Sequence, residues 1–151
     1  LLVVVDANVL VSELLRRRGR SILAPPELSF CISEASWSEA LHELPKRSEK
    51  IVRQGRVERE QADGLLREAI RLAEERVLAI PRTIYGDFER EAEYRIPRDP
   101  DDVPTVALAL AFGATDGRCE IWTGDKDFFG CGVPVWVTDT LSAHLEYHDG
   151  R

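Results

Sequence analysis

Methionine is absent from this chain, and cysteine and histidine occur only three times each. Cys31, Cys119 and Cys131 are odd in number, widely scattered and without a CxxC pair, which argues against a disulfide framework or zinc site and fits reduced core thiols. His42, His144 and His148 are equally dispersed and read as solvated helix residues. No apolar run approaches the ~20 residues that a spanning helix needs, and no basic, apolar, small-residue series resembles a signal peptide, so a cytoplasmic location is expected. The lack of methionine and the abrupt start on a strand pattern leave room for residues before Leu1. A P-loop GxxxxGKS/T, a GxGxxG after the first strand and a GxSxG elbow are all missing, which leaves those modes of nucleotide binding and ester hydrolysis without support. There is no excess of positive charge either. Twenty Lys and Arg stand against 27 Asp and Glu, a net charge of −7, which argues against coating nucleic acid through bulk potential but not against a local site.

The chain has 151 residues, 44% hydrophobic and 31% charged. A chain of this length buries roughly 70% of its unfolded surface. No repeat, low-complexity segment or long linker divides it, so one domain over 1–151 is expected. Charge is unevenly placed. Residues 1–56 hold nine Lys or Arg against seven Asp or Glu, and the acid excess lies beyond them. The sharpest basic feature is Arg16, Arg17, Arg18 and Arg20, after the first predicted helix. Such a cluster fits cations at the negative pole of a helix dipole and equally fits phosphate contact.

Residues 1–5 form a continuous apolar, β-branched run, the pattern of a strand buried on both faces of a parallel sheet. A helix is predicted from Asn8 to near Gly19, a strand over 28–33, and a helix from Ser36 that stops before Pro45. A longer helix over 57–76 carries a dense charged face, read as solvated, and offers a dimer or partner surface. A strand over 77–80, a moderately helical stretch over 83–94, a turn cluster over 97–102 and an Ala-rich helix ending near Gly113 follow. Strands over 120–123 and 133–137 and a helix over 140–147 complete the pattern. Strands alternating with helices imply parallel crossovers and a three-layer α/β/α sandwich around a parallel central sheet.

In such a sheet, ligands bind beyond the carboxyl ends of the strands. Asp6 directly follows the first strand and Asp125 follows IWTG, so both project from that edge. Asp102 opens the Ala-rich helix, and Glu39 lies a turn and a half beyond Ser33, near enough to lean over the same edge. Taken singly, each Asp could be a helix cap or turn residue. Together they would raise one another's pKa unless a cation compensates, and an all-oxygen ligand set favours Mg²⁺ or Mn²⁺.

Three segments, VVVDANVLVS at 3–12, DPDDVPTVALALAFGA at 99–114 and TGDKDFF at 123–129, resemble the PIN-domain nucleases, and 122–145 continues like the family's last strand and helix. The likeness runs in order through nearly the whole chain, while 46–98 is unspecific helix. It implies a parallel α/β/α sandwich and a Mg²⁺- or Mn²⁺-dependent ribonuclease, less often a structure-specific DNA nuclease. Many relatives are VapC-type toxins held inactive by a cognate antitoxin protein. By position, the resemblance assigns metal binding to Asp6, Glu39, Asp102 and Asp125, with Glu43 and Asp101 as alternatives if the register differs. It matches Asn8 and Thr123 to polar residues that orient these acids, and Asp127 to a helper.

The expected chemistry is hydrolysis of single-stranded RNA by water activated at one or two metal ions, with Arg16, Arg17, Arg18 and Arg20 attracting the strand past an acidic cleft. A homodimer is compatible with this reading. A haloacid-dehalogenase-type phosphatase is an alternative that also places Asp after strand one, but it normally has a second Asp two residues on, where this chain has Asn8. The other alternative is a catalytically silent PIN-like module that binds a partner protein.

Overall fold

Alternation along the opening β-branched run sets the layers. The computed structural model describes residues 1–150, the side chain of Asp149 excepted. In β1 (Leu2–Val5), Val3 and Val5 enter one apolar core and Val4 the other, all three without solvent contact. β2 (Ser29–Ser33) repeats the division, with Phe30 and Ile32 on the first side and Cys31 on the second. β3 (Val77–Ile80), β4 (Glu120–Trp122) and β5 (Val135–Trp136) complete a sheet of order β3-β2-β1-β4-β5, parallel at every pairing. The fold is the α/β/α sandwich. Because the chain builds outward from β1 through β2 to β3 and then returns to β4, the strand order reverses between β1 and β4. That reversal opens a crevice at the carboxyl edge.

On one face lie α1 (Ala7–Leu14), α2 (Arg17–Leu23), α3 (Glu34–Arg53), α4 (Arg59–Arg76) and α8 (Thr138–Asp149). The other face carries α5 (Arg82–Tyr85), α6 (Glu89–Arg95) and α7 (Val103–Asp116). No helix among the described residues is long and apolar enough to cross a membrane. The three cysteines are free and buried, and burial pushes the Cys31 thiol up to about 12 and the Cys119 thiol up to about 11.

Several boundaries differ from the sequence expectations. The first helix ends at Leu14, and Gly19 lies inside the separate α2 rather than stopping α1. A Cβ on Gly19 would stand 2.1 Å from the Glu13 carbonyl oxygen, so only glycine lets α2 pack against the end of α1. α3 runs through Pro45 to Arg53. An internal proline costs a helix about 3 kcal/mol, and the buried stripe Ala40, Leu44 and Ser48, which continues past it against α1 and α4, offsets that cost. The Ala-rich helix ends on Gly117, left-handed at φ +79°, and Gly113 is internal. The 83–94 stretch is broken into α5, a 3₁₀ turn over Gly86–Phe88 and α6.

The charged face of α4 is also more than solvated. The Arg76 guanidinium donates to the carbonyls of Leu23, Pro25 and Leu28 at 2.7, 2.7 and 3.0 Å, pinning the segment that enters β2. On α8, His144 is half-buried with its ring 5.0 Å from that of Trp136, so it is not a freely solvated side chain.

Candidate metal site

Backbone pairing between β1 and β4 runs one residue past the strand ends, since the Asp6 N–H donates to the Trp122 carbonyl at 3.0 Å. This sets Asp6 beside Thr123. The Thr123 hydroxyl donates to Asp6 Oδ2 at 2.8 Å and accepts from the Asp125 N–H at 3.1 Å. Asp125 Oδ1 in turn accepts from the Asp127 N–H at 2.9 Å, closing a 3₁₀ turn over Lys126–Phe128 that the fully buried Phe128 anchors in the core. One chain of hydrogen bonds thus links three acidic residues at the ends of two adjacent strands, Asp6 and Asp125 through their carboxylates and Asp127 through its backbone.

A fourth comes from the opposite layer. Asp99 caps a 3₁₀ turn over Pro100–Asp102 by accepting from the Asp101 N–H, and Pro104 fits the first turn of α7, where its missing N–H costs nothing. The turn presents Asp102 inward at 6% exposure. One oxygen each of Asp102, Asp125 and Asp127 lies within 4.8 Å of the others. Asp102 Oδ2 is buried with no hydrogen-bond partner.

Electrostatics follow from this crowding. Burial, then the negative charges of Asp6, Asp99, Asp125 and Asp127, push the Asp102 carboxyl up to about 7. Asp6, 4% exposed, is raised mainly by burial and also by Asp125, against the lowering effect of the Thr123 hydroxyl and the Asn8 and Ala7 amides. Glu39 is exposed on α3, yet partial desolvation raises it, and Asp101, Asp6, Glu43 and Asp99 add to the effect. No Lys or Arg forms a salt bridge with Asp6, Asp102 or Asp125 among the described residues. Among the described residues the cation that pairs with the group is Arg98, which donates to Asp127 at 3.0 Å and is itself 80% exposed.

The structure therefore gathers the acids predicted at the edge in a modified arrangement. The tightest trio contains Asp102 and Asp125 but has Asp127, expected as a helper, in place of Asp6 and Glu39. Asp6 borders it closely enough to feel the charge of Asp125, while Glu39 feels Asp6, Asp101, Glu43 and Asp99 but none of the trio. Glu43 pairs with Lys46, and Asp101 is exposed beside Glu39 in a shallow hollow. Thr123 makes the orienting bond described above. Asn8 is exposed and, among the described residues, no hydrogen bond joins its side chain to the carboxylates; it lines a hollow with Ser12, Gly124 and Asp125.

The arginine cluster separates into different roles. Arg18 forks onto Glu13 at 3.0 and 3.1 Å and reaches Asp139, and Arg20 donates to the Leu14 carbonyl. Arg17 is exposed, and Arg16 turns toward the C-terminal half of α3. Arg98 is the neighbour that sequence inspection missed. It follows Pro97 in a turn cluster where a lone cation carries no pattern.

A buried carboxylate oxygen without a hydrogen-bond partner, on an acid crowded by like charges, is the donor pattern of a cation site, and hard oxygen donors suit a divalent ion such as Mg²⁺ or Mn²⁺. The residues present fit such an ion.

The PIN domain family matches residues 4–146. Two solved structures share the architecture. PAE2754 from Pyrobaculum aerophilum superposes with a TM-score of 0.61 at 19% identity, covering 97% of this chain and 99% of that one. FitAB bound to the IR36 DNA fragment superposes with a TM-score of 0.50 at 18% identity, covering 90% of this chain and 94% of that one. At these identities the likeness is one of fold. No curated protein matches the sequence. With the family match spanning nearly its full length and the switch-point acids in place, the chain belongs to the PIN-domain family.

Proposed function

We propose that this protein is a Mg²⁺- or Mn²⁺-dependent endoribonuclease acting on single-stranded RNA. The observation that carries the reading is Asp102 Oδ2, buried and without a partner in a group of acids where, among the described residues, only Asp127 meets a cation. Asp102, Asp125 and Asp127 would hold the ion, with Asp6 and Glu39 completing the set. When bound, a divalent ion neutralises the scissile phosphate and lowers the pKa of water.

The protein's own part is placement. Thr123 holds the Asp6 carboxylate through one bond and the Asp125 main chain through another, so a single side chain ties the segments after β1 and β4 together. Phe128 anchors the turn that carries Asp127, and the Asp99 cap shapes the turn that carries Asp102, which places the carboxylates. In-line attack by water breaks the P–O3′ bond and leaves 5′-phosphate and 3′-hydroxyl ends, the outcome that the family resemblance implies. The same resemblance supports a toxin role with an antitoxin protein as partner.

The test is cleavage of single-stranded RNA in Mn²⁺. Activity should vanish with chelator and in Asp6→Asn and Asp102→Asn. A correctly folded variant of either kind that cuts at the parent rate overturns the proposal.

A further inference from the structure

An acidic crevice repels the strand that it is proposed to cut, so attraction must come from elsewhere on the surface. Between the end of α1 and the C-terminal half of α3 lies a pocket of about 300 Å³ whose lining includes Arg16, Arg47, Lys50 and Arg56, together with Ser12 and Gln54. No carboxylate is among its lining residues. Neighbouring cations on the same elements are matched with acids: Lys46 with Glu43, Arg59 with Glu49, Arg18 with Glu13 and Asp139. Within the pocket only Arg16 meets an acid, Glu13 at 4.0 Å, and no salt bridge engages Arg47, Lys50 or Arg56 among the described residues. In a chain of net charge −7, four cations lining one pocket with so little compensation concentrate positive potential there.

Its position gives it a use. Ser12 lines both this pocket and the hollow that Asn8, Gly124 and Asp125 form beside the acidic group. Asn8 and Ser12 are one turn apart on α1, about 6 Å along the axis. The two cavities are thus successive stations along one helix face.

We propose that the Arg16, Arg47, Lys50 and Arg56 pocket binds a backbone phosphate of the nucleic-acid strand, a short distance from the phosphate presented to the acidic site. This rests on the reading of that site as a nuclease centre. Guanidinium groups fork onto phosphate oxygens, Lys50 adds a point charge, and the Gln54 amide supplies a further donor. The pocket recognises phosphate and not bases, so it holds the strand without selecting its sequence. It also gives the cation excess of the first 56 residues a location, in side chains other than most of the Arg16–Arg20 cluster.

The test is equilibrium binding of a short fluorescent single-stranded RNA, followed by anisotropy in chelator at several salt concentrations, so that the readout does not depend on cleavage. Arg47→Gln/Lys50→Gln should weaken binding about tenfold and lower the slope of log affinity against log salt by about 0.7 for each lost phosphate contact. Arg67→Gln/Arg71→Gln on the exposed side of α4 should change affinity less than about twofold, within the effect of bulk charge. Arg56→Gln, in the connection after α3, is the second variant should the helix pair fail to fold.

The proposal is overturned if the folded pocket variants keep the parent affinity and slope, if the α4 pair loses as much, or if the parent does not bind RNA. It is equally overturned if oligoglutamate, and not RNA, shows the pocket dependence, since the pocket would then receive an acidic protein partner. Pocket-dependent binding without cleavage in Mn²⁺ would leave the pocket standing and remove the nuclease reading. Cleavage with pocket-independent binding would do the reverse.

Discussion

Two pairs of buried carboxylates receive opposite treatment in this molecule. Glu13 and Glu120, at 4% and 1% exposure, are fully engaged: Arg18 forks onto both oxygens of Glu13, while Arg118 and the Trp136 indole N–H take the two oxygens of Glu120. Asp6 and Asp102 are equally buried and have no such cation. The chain thus pairs the buried acids that serve packing with cations, and leaves Asp6 and Asp102 at the β1/β4 crevice without one. A buried charge without compensation is costly. Its persistence at one place, in a chain that pairs its buried acids elsewhere, distinguishes a cation site from a structural ion pair.

The contrast can be broken most directly through activity. Asp102→Asn or Asp125→Asn should lower RNA cleavage on the order of 10³-fold while circular dichroism stays that of the parent. Parent-rate cleavage by either would reduce the two pairs of acids to the same structural role. A smaller effect is expected at the paired acids. Arg18→Ala leaves the buried Glu13 with only the 4.0 Å approach of Arg16 and should lower Tm. Asp6→Asn, which removes a charge rather than stranding one, should hold or raise Tm at neutral pH, and thermal melts of the two variants together test the comparison.

The pH dependence sharpens it further. Asp102 titrates near 7 in the folded protein, and an unfolded aspartate near 4. The native state therefore holds the proton more tightly, so this group's stabilisation is complete below about pH 4 and is lost as pH rises through 7. Metal-free protein should lose about 2 kcal/mol over that window once solvent screening is allowed for. Asp102→Asn should flatten the profile, and Mn²⁺ at neutral pH should restore Tm by preferential binding to the folded state. A metal-free profile with no decline between pH 4 and 7 would contradict the assignment. The smallest effect concerns Arg98, whose exposed pair with Asp127 competes with a bound ion. Arg98→Gln should tighten Mn²⁺ binding about two- to fivefold by calorimetry, the scale of a surface ion pair.

Much of the architecture was legible from periodicity. A β-branched run such as Val3 to Val5 can satisfy both faces only between helical layers, and Asp6 and Asp125 stood next to apolar runs that could only be buried strands. Other features had no local signature. Pro45 is a helix breaker by itself, and only the stripe packed against α1 and α4 keeps α3 intact through it. Gly113 and Gly117 look alike as helix terminators until backbone geometry puts the latter at φ +79°. The four clustered arginines looked equivalent, yet Glu13 and the Leu14 carbonyl engage Arg18 and Arg20, while Arg16 joins Arg47, Lys50 and Arg56 from beyond the cluster.

By itself, the order of apolar runs and acids determined a parallel sandwich and named the strand ends where carboxylates emerge, because strand burial and side-chain alternation are local consequences of residue type. Which oxygens meet was decided only in three dimensions. Asp127 joins Asp102 and Asp125 because the Lys126–Phe128 turn, held by Phe128, carries it back toward α7. Lys50 and Arg56 face Arg16 because α3 packs against α1. Charges distant in sequence interact only through the space between them, and that space is fixed by packing rather than by any single segment.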